Sequence, residues 1–283
     1  MNKRKSILLR ILLIIGFLIF FYPNISDYIS NINGSKVIVN YNRSISGFKN
    51  IEKQKIKKEA EDYNRKIFLE KNSIYYPKLI KGYEENLNPF KDGMMGSLVI
   101  DKIGVNLPIY HGVNEGVIQK GIGHLQGTSL PIGGKSTHSV LSTHSGLPSA
   151  RLFTDLHKLK KGDEFEVSVL GENMYYKVDQ IKTVLPKEVG DLKVEKDRDY
   201  VTLLTCTPYG INTHRLLVRG ERINRTKKSG KNNVEKKAEK GAFIRAVKLI
   251  LILGIILTVA ATIIRDVIAL KKERNQEKNR KNI

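Results

Sequence analysis

The decisive stretch is Tyr200-Val201-Thr202-Leu203-Leu204-Thr205-Cys206, an apolar run that is followed by Thr207-Pro208-Tyr209-Gly210 and then by His214-Arg215-Leu216-Leu217-Val218-Arg219-Gly220. The first and last segments have the length and composition of strands, and the Pro-Tyr-Gly sequence between them marks a turn. Cys206 is therefore predicted to end a strand beside a loop, which is an exposed and rigid position for a nucleophile. The alternative is a small buried apolar residue, since unpaired cysteines are often buried.

Further strand-like segments surround this stretch. They alternate apolar and polar residues over about 125 residues, with Gly-rich and Pro-rich turns between them, at 97–103, 139–142, 164–170, 174–184, 200–206 and 214–223. Many short strands with such turns predict a mainly β fold with a closed or nearly closed barrel. Two short helical patches are expected near 115–120 and 150–157. Before the strands, residues 51–68 show a helical apolar stripe, and residues 72–90 are irregular.

The charge of the chain is concentrated at its ends. The net charge is +21; residues 1–10 carry four basic and no acidic side chains, and residues 221–283 carry 17 basic and six acidic ones. These clusters flank apolar runs, which favours a membrane protein over a nucleic-acid-binding one. The single cysteine excludes an intramolecular disulfide and a thiolate zinc finger. No carboxylate loop of the calcium-binding type is visible, so neither a metal nor another cofactor is expected.

Two apolar runs are candidate membrane spans. Residues 11–22 (ILLIIGFLIFFY) follow a basic start and lack a small-residue cleavage site after them, which favours an uncleaved anchor over a secretory signal peptide. Residues 249–264 (LILILGIILTVAATII) have Lys-rich flanks, which favours a second span over a buried core helix. The basic start predicts a cytoplasmic N-terminus, so that both ends lie inside and residues 23–247 face outward. The basic linker before the second run then faces anionic lipid or an anionic wall polymer.

A thiol nucleophile needs a base, or a positive neighbour, and a group that stabilises the oxyanion. Among the six histidines, His144 follows an apolar strand and is the first candidate, and His111 is the second. If the segments around the turn pair regularly, either His214 or Arg215 shares a face with Cys206. The spacing alone does not choose between these two residues.

The stretch from Thr202 to Gly220 resembles the signature of sortases, most closely the pilin-polymerising class C. The resemblance also rests on GHLQGTSLPIGG at 123–134 and HSVLSTHSGLPSARLFTDL at 138–156, and it extends over residues 93–223. It implies a closed eight-stranded β-barrel with short helices, an N-terminal helical region and two flanking transmembrane helices.

The resemblance also implies the roles of individual residues. Cys206 is then the nucleophile, His144 the acid and base, and Arg215 the group that orients the substrate and stabilises the oxyanion. Thr205 is expected to line the groove for the sorting signal. The other histidines take structural or peripheral roles, namely His111, His124, His138, His157 and His214.

One feature departs from the class C pattern. Class C sortases often carry an Asp-Pro-aromatic lid over the cysteine, whereas this chain has Asn88-Pro89-Phe90 close to the first barrel strand. Asn88, Pro89 and Phe90 are the lid candidates. The alternative is that residues 72–81 (NSIYYPKLIK) form an atypical cover.

The implied activity is that of a membrane-anchored cysteine transpeptidase. The enzyme would cleave an LPxTG-like sorting signal between Thr and Gly and transfer the acyl group to a Lys amine of another pilin subunit. The alternatives are a sortase that anchors surface proteins to peptidoglycan, a hydrolytic cysteine peptidase and a non-enzymatic membrane module. The expected layout has six parts, which are an anchor at 1–25, a helical and lid region at 26–95, the barrel at 96–223, a basic linker at 224–247, a span at 248–265 and a cytoplasmic tail at 266–283.

Overall fold

The structure, a computed structural model, describes residues 3–224, 254, 258–269, 271, 272 and 275. Contacts divide it into two units. One unit begins at Asp27 and contains the barrel. The other contains the residues up to Ser26 together with the described C-terminal residues.

Helix α1, Lys3–Ser46, is the principal element of the smaller unit and continues into the larger one. The helix includes Pro23 and continues to Ser46, so it does not end with the apolar run. Its Ile7–Ser46 part is long and apolar enough to cross a membrane, and its most apolar window is fully unburied. A first span is therefore compatible with the fold.

Half of the second predicted span, 248–265, lies outside the described residues, as do most of the linker 224–247 and of the tail 266–283. Residues 258–269 are helical. Within the smaller unit, Arg10 Nη1 of α1 lies 2.7 Å from Asp266 Oδ2. Among the described residues only one helix meets the criteria for a membrane span, so the two-span prediction is not confirmed.

The larger unit contains a closed barrel in the order β1-β2-β3-β4-β7-β8-β6-β5. Pairs β2–β3 and β4–β7 are parallel, and the other neighbours are antiparallel. The strands are β1 Met94–Ile100, β2 Val105–His111, β3 Ile122–His124, β4 Thr137–Ser142, β5 Glu164–Val169, β6 Glu172–Val184, β7 Asp199–Thr207 and β8 His214–Ile223. The prediction of a closed eight-stranded barrel is confirmed.

The barrel interior is filled by alternate side chains of its strands. Fully buried examples are Leu98, Ile109, Val167, Leu203 and Val218. Because side chains alternate between the two faces of a strand, burial of Leu203 and Val218 places Cys206 and Arg215 on the outer face. The apolar filling of the barrel thus determines which side chains remain available for chemistry.

Helix α2, Asn50–Leu69, packs on the barrel through Ala60, Tyr63 and Ile67 and agrees with the apolar stripe predicted at 51–68. The short helix α3, Glu115–Ile118, confirms the first helical patch. The prediction of a second helical patch near 150–157 was wrong, since only the 3₁₀ turn Leu156–Lys158 forms there. The strand predicted at 97–103 ends at Ile100, where a 3₁₀ turn leads to Gly104 in the left-handed region.

Candidate active site

The register of β7 and β8 places Arg215 directly opposite Cys206. Residues opposite each other in an antiparallel pair project from the same face, so the thiol and the guanidinium share the outer face. His214 is opposite Thr207, and its Nδ1 lies 2.9 Å from Thr213 Oγ1. Of the two candidates that spacing left open, Arg215 is therefore the one that faces the same side as Cys206.

His144 reaches the same end of the barrel from β4. The parallel register pairs Ser142 with Leu204, and Thr143 N donates to Leu204 O at 3.3 Å just beyond the strand. Two residues further along each chain are His144 and Cys206. The His144 side chain is 24% exposed, so it is accessible to a substrate.

Two hydroxyl groups hold the loop of His144 against β7. Thr205 Oγ1 donates to Thr143 O at 2.8 Å, and Ser145 Oγ donates to Cys206 O at 2.6 Å. Thr205 is only 3% exposed. Its contacts therefore indicate a role in positioning the loop, whereas the expectation was that it lines a groove.

A carboxylate accompanies the imidazole. His144 Nε2 lies 3.0 Å from Glu115 Oε1, and Gln119 Nε2 donates to the same oxygen at 2.7 Å. These hydrogen bonds, that of Gln119 first, lower the pKa of the Glu115 carboxyl below its ordinary value. The carboxylate is thus negatively charged at neutral pH.

Arg215 is held at its Nη1, which donates to Asn212 O at 3.1 Å and to His214 O at 3.0 Å. The same β7–β8 loop places the Tyr209 ring over Gly146, where a Cβ atom would lie 2.8 Å from the ring. Gly146 also has φ +82°, a conformation that favours glycine. The loops after β4 and β7 are therefore packed together at the site.

An apolar row lies beside the reactive groups on the outer face. Val140, Leu217 and Leu192 form a small cluster, against which Leu204 and Ile74 pack. Leu204 and Leu217 are opposite each other and two residues away from Cys206 and Arg215. Ile74 thus lies on the face that carries the candidate nucleophile.

The segment around Ile74 is held by specific contacts. Ser73 Oγ donates to Gly127 O at 2.9 Å, and Lys193 Nζ lies 5.7 Å from the centroid of the Tyr75 ring. Gly127 has φ +90°, and a Cβ atom there would lie 2.4 Å from Ser73 O. Ser73 and Tyr75 thus fix the chain on both sides of Ile74.

The Asn-Pro-Phe motif makes contacts elsewhere. Phe90 packs edge-on against Tyr41 and Phe48, and Asn88 Oδ1 accepts from Gly93 N at 2.9 Å. Pro89 lies between them and is half-buried. These contacts hold the chain at the start of β1 and give no support to a lid formed by Asn88, Pro89 and Phe90.

The remaining histidines have other partners. His124 and His138 are fully buried, and burial lowers the pKa of His124 to about 3 and that of His138 to about 4. The two nitrogens of His111 lie 2.9 and 2.8 Å from the carbonyl oxygens of Gly93 and Asn86. His157 is exposed. In the described part of the chain, no three His, Cys, Asp or Glu side chains are grouped to hold a metal ion.

The site combines a free thiol, an imidazole and a guanidinium on one accessible face. A thiolate can attack a carbonyl carbon, an imidazolium can protonate the leaving group, and a guanidinium can stabilise the oxyanion. This set is suited to acyl transfer through a thioester. Glu115 and Ser145 have no signal in the sequence, because their roles depend on contacts between segments far apart in the chain.

Comparisons with known proteins agree with this chemistry. The sortase domain model matches residues 98–223. Sortase A of Listeria monocytogenes is 30% identical over 225 residues, which are 79% of this chain and 93% of that protein. The crystal structure of sortase C1 from Streptococcus agalactiae is similar with a TM-score of 0.63 and 47% identity, over 68% of this chain and all of that one.

A sortase C from Clostridium perfringens, solved with the C-terminal cell wall sorting motif, is 42% identical. Its TM-score is 0.58, and the match covers 68% of this chain and all of that one. The chain belongs to the sortase family, whose members are cysteine transpeptidases. The resemblance to class C stated from the sequence is confirmed by these structural neighbours.

Proposed function

We propose that this sortase polymerises pilins: it cleaves an LPxTG-like sorting signal between Thr and Gly and joins the Thr to a Lys amine of another pilin subunit. The observation that carries the proposal is the register that sets Arg215 opposite Cys206, with His144 at the adjoining strand end. The sorting-motif complex of the Clostridium perfringens sortase C supports the class of substrate.

In the first half-reaction, the Cys206 thiolate attacks the Thr carbonyl carbon of the sorting signal. The negative charge that develops on the carbonyl oxygen is stabilised by Arg215, whose guanidinium keeps its charge at any relevant pH. Protonated His144 gives its proton to the Gly nitrogen as the Thr–Gly bond breaks. The products are a Cys206 thioester and a free Gly amine.

In the second half-reaction, the Lys amine attacks the thioester carbonyl carbon. Neutral His144 accepts the proton of the attacking nitrogen, and the Cys206 thiolate leaves. An isopeptide bond replaces the cleaved peptide bond, so the cycle needs no external energy source. The enzyme returns to its starting protonation state.

The proposal includes a membrane-embedded enzyme with two spans and both termini in the cytoplasm. The pair Arg10–Asp266 supports it, because the two residues lie at the cytoplasmic ends predicted for the two runs. Opposite charges at one end of two antiparallel helices favour their association. Such an arrangement holds the barrel outside the cell, where membrane-held pilin precursors are available at raised effective concentration.

The proposal also includes residues 72–81 as the cover of the substrate groove. Ile74 packs on the apolar row next to the reactive groups, where an apolar side chain of an extended peptide would be accommodated. A substrate must displace this segment to bind along the same face. The cover therefore lowers the rate at which the thiol meets its substrates.

The test uses the full chain in dodecyl maltoside micelles. Wild type and Cys206→Ala are incubated with a fluorogenic LPxTG-type peptide, with and without a pilin subunit that contains an accessible Lys. We expect cysteine-dependent cleavage and, when the pilin is present, a covalent peptide–pilin product identified by mass spectrometry.

His144→Asn, which removes the proton donor, is compared with His157→Asn, which changes an exposed histidine outside the site. We expect the first variant to lose transfer and the second to keep it. Transfer to a peptidoglycan amine but not to pilin would indicate wall anchoring, and release to water alone would indicate a peptidase. Product formation by Cys206→Ala would overturn the proposal.

A further inference from the structure

The carboxylate beside His144 has no role in the chemistry described so far. Glu115 is the first residue of α3, and its side chain is 62% exposed, yet Oε1 accepts hydrogen bonds from both His144 and Gln119. Exposed long side chains are usually free to sample several rotamers. Here Gln119, four residues further along the chain, holds the carboxylate in the position that meets the imidazole.

The backbone that presents Glu115 is itself tightly held. Gly123 on β3 approaches Gly112 so closely that a Cβ atom would lie 2.2 Å from Gly112 O. Asn114 caps α3, because its Oδ1 accepts from Val117 N at 3.1 Å. The position of Glu115 is therefore set by the barrel wall and by its own helix cap.

The same helix is connected to the strand end that bears His144. Thr143 Oγ1 lies 2.8 Å from Ile118 O and 2.7 Å from Gly121 O. Since Thr143 precedes His144 directly, this hydroxyl fixes the separation between α3 and the imidazole. Glu115 and His144 thus form a built pair, although they are 29 residues apart in the sequence.

We propose that Glu115 is a positioning residue for His144. The Glu115 carboxylate accepts the hydrogen bond of His144 Nε2–H and so directs Nδ1 toward the reacting atoms. It also stabilises the imidazolium that protonates the leaving amine. This inference rests on the proposed function. A carboxylate can orient a catalytic imidazole and stabilise its cation without taking up a proton itself. Glu115 acts through His144 and makes no contact with the substrate in this account.

The charged and titratable groups around His144 determine how the effect is measured. On the elements that meet at this end of the barrel they are Glu115 on α3, Cys206 on β7, Arg215 on β8, Tyr209 in the loop between β7 and β8, and Arg151 and Asp155 in the loop after β4. Arg151 and Asp155 are paired with each other. Loss of the Glu115 charge removes a negative charge beside the imidazolium and makes the imidazolium less stable.

The experiment compares Glu115→Gln with Glu172→Gln in the full chain in micelles. Glu172 pairs with Lys57 away from the site and is the matched control. For Glu115→Gln we expect a roughly fivefold lower kcat/KM and an alkaline limb of the pH–rate profile that is displaced to lower pH. Glu115→Asp, which keeps the charge, should recover part of both. The thermal midpoint should not change, because the amide keeps the shape and an acceptor oxygen.

A second measurement avoids the substrate. The rate of alkylation of Cys206 by iodoacetamide is followed from pH 5 to 9, and the profile of Glu115→Gln should differ from that of the control. Identical profiles and equal kcat/KM for Glu115→Gln and Glu172→Gln would overturn the inference. Because Cys206→Ala is assayed in parallel, failure of the inference is distinguished from failure of the proposed function, in which Cys206→Ala remains active.

Discussion

Two rows on the outer face of the barrel contain nearly the same residue types and behave differently. One row has His144, Cys206 and Arg215; the other has His138, Thr202 and Arg219. Each takes a histidine that lies in β4 or just after it, a thiol or hydroxyl from β7 and an arginine from β8. The apolar row of Val140, Leu204 and Leu217 lies between them.

The groups of the His138 row are fully engaged. His138 Nε2 lies 2.7 Å from Thr202 Oγ1, and its Nδ1 lies 2.9 Å from Lys193 O. The Arg219 side chain is 12% exposed, pairs with Asp179 and Glu195, and lies 4.0 Å above the Tyr200 ring. This row holds the β6–β7 loop on the barrel.

The groups of the Cys206 row retain bonding capacity. Cys206 is a free, partly exposed thiol, and Arg215 Nη1 donates its hydrogen bonds to two backbone carbonyl oxygens. The difference shows that residue type alone does not make a site. Reactive groups must be accessible and carry a charge that is not already paired, whereas the same groups with full sets of partners stabilise the fold.

The largest effect is expected when the thiol of the Cys206 row is replaced by a hydroxyl, the group that the His138 row has at Thr202. Cys206→Ser replaces the thiol with a hydroxyl like that of Thr202, which is far less readily ionised. We expect kcat/KM to fall on the order of 10³-fold or more. Peptide cleavage and intact-mass detection of the acyl-enzyme measure this effect, and a fall of less than tenfold would contradict the role of the thiolate.

Substitution of Arg215 should lower the activity, whereas substitution of Arg219 should lower the stability of the fold. Arg215→Lys should lower kcat/KM by about 10²- to 10³-fold, because an ammonium cannot replace the planar guanidinium at the oxyanion. Arg198→Lys, a change in an exposed arginine paired with Glu221, is the control. Near-normal turnover of Arg215→Lys would remove the oxyanion role.

Arg219→Ala should have the opposite signature to Arg215→Ala. Removal of Arg219 leaves the Asp179 carboxylate without its partner on a largely buried surface. We expect a loss of about 2–4 kcal/mol in the free energy of unfolding for Arg219→Ala, against less than about 1 kcal/mol for Arg215→Ala. Denaturant unfolding in micelles measures both losses. Equal losses for the two variants would contradict the different roles of the two rows.

The buried histidines predict acid sensitivity. The pKa of His138 is lowered from 6.5 to about 4 by burial, so the unfolded chain binds a proton that the folded chain does not. The contribution of this histidine to the free energy of unfolding is therefore fully present above pH 6.5. It decreases as the pH falls toward 4, by up to about 1.4 kcal/mol per pH unit. The denaturant midpoint should depend less steeply on pH for His138→Gln than for wild type, and an unchanged dependence would contradict this prediction.

The smallest effect concerns the cover of the apolar row. Ile74→Ala weakens the packing of residues 72–81 on Val140 and Leu217. We expect alkylation of Cys206 to become about two- to fivefold faster. Tyr76→Ala, a change in an exposed side chain of the same segment, is the control, and equal rates for the two variants would contradict a cover held by Ile74.

Much of the barrel could be predicted from local patterns. The segment 214–223 coincides with β8, and 174–184 lies within β6, because alternation and flanking turns are visible in the sequence. The order of strands around the barrel was not readable, since the parallel pair β4–β7 joins segments that β5 and β6 separate. The motif at Asn88, Pro89 and Phe90 left a lid there or at residues 72–81 open, and the tertiary contacts of Phe90 with Tyr41 and Phe48 had no signal in the sequence.

The site was predictable in part for a similar reason. Cys206 and His144 stood out because each lies at the end of an apolar strand. Spacing alone left Arg215 and His214 open, and the sortase resemblance and the strand register both favour Arg215. Glu115 and Ser145 had no local signal. Their functions depend on tertiary contacts with residues 29 and 61 positions away.

The parallel pairing of β4 with β7 also has a consequence for biosynthesis. Thr143 and Thr205, which join the two strand ends, are 62 residues apart, and β8 must then pair with both β7 and β6. Contacts over such distances form late in folding, because long loops must close first. The thiol therefore lacks its guanidinium neighbour until β8 has paired with β7. The candidate site is complete only when this last strand of the barrel has docked.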